Sequence, residues 1–145
     1  MGFTNAGCIA IAGLLISDGT TNYQYPNAYL GVGDDSTAFS VAHTNLNPAS
    51  GSYGTDRFLG QVTGPGASPN CATRGSSGTA NVLTFVANYT TAQANFAWNE
   101  NGIFNSGTDG TGTMLTRQVS SLGTKTSAST ATFTKTLTIG TTNTT

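Results

Sequence analysis

Charge is what this sequence has least of. Only 8% of its 145 residues are Asp, Glu, Lys or Arg, five basic and six acidic, for a formal net charge of -1. Soluble domains usually carry about 25%. Five scattered basic side chains make no stripe to neutralise phosphates, so no nucleic-acid partner is expected. No polybasic segment is present for an anionic membrane surface either. The apolar run from Cys8 to Ile16 lacks a basic leader and a small-x-small cleavage site, and is too short to span a bilayer.

Chemistry-bearing residues are just as scarce. His43 is the single histidine, and Cys8 and Cys71 have no CxxC spacing, so no metal centre is expected. A Ser-His-Asp site would have to use His43, and no G-x-S-x-G elbow exists. Gly31-Val-Gly33 lacks the third glycine of a phosphate loop, and Asp34-Asp35-Ser36 has too few ligands for calcium. Glu100 is the only glutamate. A glycosidase needs a second carboxylate, and Asp34, Asp35, Asp56 and Asp109 all sit in Gly/Ser/Thr-rich turns, where Asp is ordinary turn chemistry. No enzyme and no cofactor are expected. One Cys8–Cys71 disulfide is possible but not demanded by the spacing; free buried thiols are expected, as in a protein made in the cytosol.

What the chain does hold is 19 glycines, seven Phe, five Tyr and abundant Thr. Aromatics and β-branched residues argue for a folded chain. A surface of uncharged polar residues near zero net charge favours association, so life within an assembly is expected. The length fits one domain, 1–145.

Thr4-Asn5-Ala6-Gly7 caps a short packed helix over 4–16, which Asp18-Gly19 ends. Beyond it strands dominate. They are read at 27–32, 58–63, 81–88, 96–104 (bent at Gly102), 114–121 and 130–141. Residues 38–46 are a helical turn or an irregular crossing, 47–57 a loop, 64–78 a surface loop and 140–145 a Thr-rich tail. In the last strand Thr130, Thr132, Thr134, Thr136 and Thr138 share a wet face. Ala131, Phe133, Leu137 and Ile139 face inward, interrupted by Lys135. The Thr face is not an ice-binding array, since one strand is no array and Thr is simply a good strand former. The fold expected is mainly β, an antiparallel β-sandwich (jelly-roll-like) with one N-terminal helix.

Several segments together resemble a family of small virion structural proteins of tailed bacteriophages. They are Asn27-Ala-Tyr-Leu-Gly-Val-Gly-Asp34, Ser36-Thr-Ala-Phe39, Thr44-Asn-Leu46, Ala94-Asn-Phe-Ala-Trp-Asn-Glu100, Gly102-Ile-Phe-Asn105, Gly112-Thr-Met-Leu115, Arg117 and Leu122-Gly-Thr-Lys-Thr126. Thr4-Asn-Ala-Gly7 with its apolar helix also fits. The resemblance runs in order through most of the chain, with 64–78 outside it. Asn101 stands where the family often has an apolar residue. The E-x-G-[IVL]-F and G-x-[ML]-L segments also recur in tail-fibre and tail-collar domains.

The resemblance implies a non-enzymatic capsid decoration, or cement, protein in the virion, assembled in the host cytoplasm. Its partners would be the major capsid protein and itself, as a homotrimer. A tail-fibre, collar or baseplate component is the alternative, with other tail proteins as partners. A carbohydrate-binding module using Trp98 and the tyrosines is the second. Within this frame Trp98, Glu100, Gly102, Ile103, Phe104 and Arg117 are read as a structural corner. Glu100 takes hydrogen bonds from loop backbone or from Arg117, and Gly102 permits the bend. Ile103 and Phe104 return to the core, with Trp98 packed beneath.

Overall fold

The computed structural model describes residues 1–47, 51–68, 70–75 and 81–139. Its elements are β1 (Gly2–Phe3), α1 (Asn5–Ile16), β2 (Tyr29–Gly33), β3 (Arg57–Gly64), β4 (Thr73–Arg74), β5 (Val82–Tyr89), β6 (Ala97–Phe104), β7 (Met114–Thr124) and β8 (Ala131–Thr138). The protein is mainly β, antiparallel, with one short N-terminal helix. The strand order is β1-β7-β6-β2-β3-β5-β4, with β8 on the other side of β5.

The sheet turns over at β3. Residues 57–61 pair with β2, whereas Val62 and Gly64 pair with β5 across a register irregularity. β5 and β8 thereby face β6 and β7. Trp98 of β6 meets Phe133 of β8, ring centroids 6.1 Å apart, and Tyr89 of β5 at 5.0 Å. The main core fills this space with Leu30, Val32, Val62, Phe85, Ala87, Ile103, Leu115 and Leu137. Burying such aliphatic and aromatic side chains stabilises by about 1.5–3 kcal/mol each.

The strands fall where alternation places them, with two additions. β1 and β4 are two-residue pairings, too short to leave a period, and β4 lies within the expected loop 64–78. Residues 38–46 form the irregular crossing, not a helical turn. The expected tail 140–145 lies outside the described residues.

Two expectations change. Lys135 does not interrupt the inner face of β8; it belongs to it, only 5% exposed, with Nζ donating to Asn101 Oδ1 and Gln118 Oε1. Asn101, polar at a buried strand position, is that lysine's acceptor. Cys71 is buried but Cys8 is exposed, and the two are not bonded to each other.

The helix turns its small residues inward. Thr4 caps it, its Oγ1 accepting from the Gly7 N–H at 2.9 Å and donating to the Met114 carbonyl. Gly7 lies directly on the β7 backbone at Leu115, where a Cβ would collide with main-chain atoms. Gly7, Ala10 and Gly13 are its buried residues, and Ser17 in the left-handed conformation ends it. Gly and Ala let the helix sit close; Ile11 packs partly against the main core, and Ile9, Leu15 and Ile16 point away from the body.

Candidate functional site

The second face of the central sheet is lined by glycine. Gly31 and Gly33 of β2 alternate with Leu30 and Val32, which face the main core, and Gly102 of β6 lies opposite Gly31. A Cβ on Gly31 would meet Leu46 at 2.7 Å, Phe104 at 2.8 Å and Leu59 at 2.9 Å. One on Gly102 would come within 2.8 Å of the Thr116 carbonyl oxygen. The glycines clear a shelf onto which the crossing segment 34–47 packs. A small second core forms beneath it from Leu46, Leu59, Phe104 and Met114.

Arg117 and Glu100 fasten that segment. Both side chains are fully buried, and Arg117 Nε donates to Glu100 Oε2 at 2.6 Å. Arg117 Nη1 donates to the Thr37 carbonyl at 3.0 Å and contacts His43 Nδ1 at 3.1 Å, while Nη2 donates to Asp35 Oδ2 at 3.1 Å. A guanidinium has five N–H donors, so these contacts use nearly all of them. The other Glu100 oxygen accepts from the Asn47 N–H, presented by Asn47 in a left-handed conformation with φ 46°. Asn tolerates that region better than most residues.

The electrostatics follow from enclosure. Burial pushes the Glu100 carboxyl up from its ordinary value, opposed by Arg117 and the Asn47 N–H. Burial and then the Arg117 charge lower His43. A neutral His43 suits its contacts: Nδ1 accepts from the Ser40 N–H at 3.2 Å and faces Arg117. A second fastener holds the far end. Arg57 on β3 grips Asp109 with two parallel bonds, Nε to Oδ1 at 2.8 Å and Nη2 to Oδ2 at 2.6 Å. Asn45 Nδ2 also donates to Asp109 Oδ1. The Arg57 bonds hold Asp109 below the usual carboxylate range.

Of the six residues read as a corner, the structure brings Glu100, Gly102, Phe104 and Arg117 to this face. Gly102 makes no bend; it continues the ladder between Gly31 and Arg117 and serves by its missing side chain. Trp98 and Ile103 belong to the opposite face. The register of β6 shifts between Trp98 and Glu100, so residues two apart, normally on one side, separate. Trp98, only 6% exposed, lies in the main core with its indole N–H donated to the Ala94 carbonyl at 3.0 Å. So placed, this ring leaves little open face on which a sugar could stack.

Sequence reasoning missed Asp35, Thr37, His43 and Asn47 as partners of the clamp. The one sequence signal for them was Gly31-x-Gly33, glycine on alternate positions of a strand, which marks a face something must approach closely. The clamp has the residue types of a catalytic cluster, but its donors and acceptors are spent on one another and its centre is closed to solvent. It acts as a fastener.

The outward features are apolar. Ile9, Leu15 and Ile16 of α1 are 73%, 81% and 77% exposed, and Phe39, Val41 and Tyr53 also reach the surface. An apolar groove of about 370 Å³ runs beside the helix, walled by Leu14 and Leu15 on one side and by Leu83, Phe85 and Ile139 on the other. No helix among the described residues is long and apolar enough to cross a membrane, and no group of three or more potential metal ligands occurs among them. No protein-family model, curated protein or solved structure matches this chain.

Proposed function

We propose that this protein is a non-enzymatic structural component of a phage virion, a decoration protein that bridges neighbouring capsid subunits. The observation that carries the reading is the nature of its surface. Glu100, Arg117, Lys125 and Lys135 are turned inward, while large aliphatic side chains are left in the open on a helix. Exposed apolar patches of this kind mark contact surfaces. The resemblance of the 27–46 and 94–126 segments to small virion proteins points to the same role.

The mechanism is physical. A protein that binds only the assembled lattice stabilises that lattice by mass action, the shift growing with the logarithm of free protein over its Kd. Uncharged Thr, Ser and Asn at the contact rim lose less on desolvation than charged groups would. The partners are the major capsid protein and further copies of this chain, and the location is the virion.

Co-sedimentation of the purified protein with tail-less capsids and, separately, with isolated tails tests the reading. Saturable binding to capsids, in a copy number that matches the lattice, is expected. Binding to tails alone would replace it with a fibre, collar or baseplate role, and binding to neither would end it.

A further inference from the structure

We infer that the outer face of α1 is a self-association surface, on which the helix of a second copy of this chain packs. The inference deepens the assembly part of the reading above by naming the surface through which copies meet.

The exposed residues of α1 are Asn5, Cys8, Ile9, Ala12, Leu14, Leu15 and Ile16. Asn5, Cys8, Ala12 and Leu15 follow one another at intervals of three, four and three, the spacing of a helix-to-helix seam. Ile9 and Ile16 flank that seam one position along. Cys8 and Ala12 at its centre are small enough for another backbone to approach closely. A helix apolar on every side is one that is covered on every side. The body of the protein covers the side of Gly7, Ala10 and Gly13 and half-buries Ile11, but leaves Ile9, Leu15 and Ile16 open. At 12 residues, and about 1.5 Å per residue, α1 falls well short of the roughly 30 Å core of a bilayer. A helix lying on a membrane surface carries a charged polar face, which α1 lacks, so its cover is protein.

Three observations make that protein a second copy. First, α1 contains no Asp, Glu, Lys or Arg. In a symmetric contact residues near the axis meet their own counterparts, so any charge there would face its like. An uncharged seam meets that requirement. Second, the knob and the hole lie side by side on one surface. Leu15 and Ile16 project beside a groove of about 370 Å³ with apolar walls, and a two-way exchange buries both at once. Third, the areas agree. The open side chains of α1, with Ile139 at 53% exposure on the groove rim, form a patch of a few hundred Å², as large as single chains usually leave open. Two such patches face to face approach the roughly 1,200 Å² at which stable interfaces begin.

The test joins light scattering after size exclusion with cross-linking at Cys8. Wild-type protein is expected to run at a multiple of the single-chain mass. Leu15→Glu/Ile16→Glu is expected to run as one chain with an unchanged circular dichroism spectrum, because both side chains already face solvent within the monomer. Mild oxidation is expected to join chains through Cys8, with the covalent pair lost in Cys8→Ser and kept in Cys71→Ser. A wild-type monomer, or an oligomer that survives the double substitution, overturns the inference. So does a monomer that still binds capsids through α1, and that outcome leaves the decoration reading standing.

Discussion

The two faces of the central sheet are held down by opposite means. On one face Leu30, Val32 and Ile103 meet Tyr89, Trp98 and Leu137 in a core of ordinary composition. On the other, three glycines clear a shelf, and an irregular segment is pinned there by one arginine and one glutamate. The first face needs only volume and apolarity, so many side chains would serve. The second has little apolar area to offer and depends on direction: each Arg117 donor has a particular acceptor, and each glycine a particular neighbour. A regular strand satisfies its own backbone through its ladder. A crossing loop cannot, and Arg117, donating to the Thr37 carbonyl, and Glu100, accepting from the Asn47 N–H, supply what the ladder does not.

The comparison is broken most severely at Arg117. Arg117→Met leaves Glu100 buried without its cation and frees Asp35, Thr37 and His43. The expected loss in chemical denaturation is about 3–5 kcal/mol, at or above the 2–5 kcal/mol of Leu30→Ala on the opposite face. The double variant Arg117→Met/Glu100→Gln should recover part of that loss. Glu100→Gln alone should also destabilise while removing no activity. A Glu100→Gln protein as stable as wild type would sink the clamp.

A smaller effect is expected at the shelf. Gly31→Ala forces Leu46, Phe104 or Leu59 to move and should cost about 1–3 kcal/mol. Gly54→Ala, where no neighbour lies within 4 Å but φ is +93°, separates packing from backbone strain. If the two lose the same stability, the close approach of the crossing segment is not what Gly31 provides.

The mildest test lies on the main-core side. Lys135 is a buried cation held by two amide oxygens, and burial lowers its pKa from 10.5 to about 8. Between those values the unfolded chain keeps the proton and the folded chain releases it, so stability contributed by this group rises with pH. That contribution is fully present above the unfolded value and is lost as pH falls through about 8. From pH 8 to 9.5, wild type should gain on the order of 1 kcal/mol relative to Lys135→Met, which has no such proton to release. Parallel pH profiles would show that Lys135 is solvated in the folded state.

Much of this molecule was legible in its sequence, and the divide is physical. Period-two alternation located the six longer strands, because one buried face leaves its mark on every second residue. Thr4 before an apolar run marked the helix start, because capping is a contact between near neighbours in the chain. The Glu100–Arg117 pairing was open to anticipation too, a lone glutamate and an arginine on adjacent strands. What local patterning could not decide was which side of the sheet each residue reached. The irregularity between Trp98 and Glu100 sends two residues of one apparent stripe to opposite faces, and only the pairing with β7 creates it. Likewise Lys135 read as a flaw in a strand until Asn101 and Gln118, distant in the chain, stood opposite it. The apolar helix read as simply packed, because sequence gives hydrophobicity and not direction. Tertiary structure set Gly7 on the backbone of β7, with Ala10 and Gly13 also inside, and so turned Ile9, Leu15 and Ile16 of α1 outward.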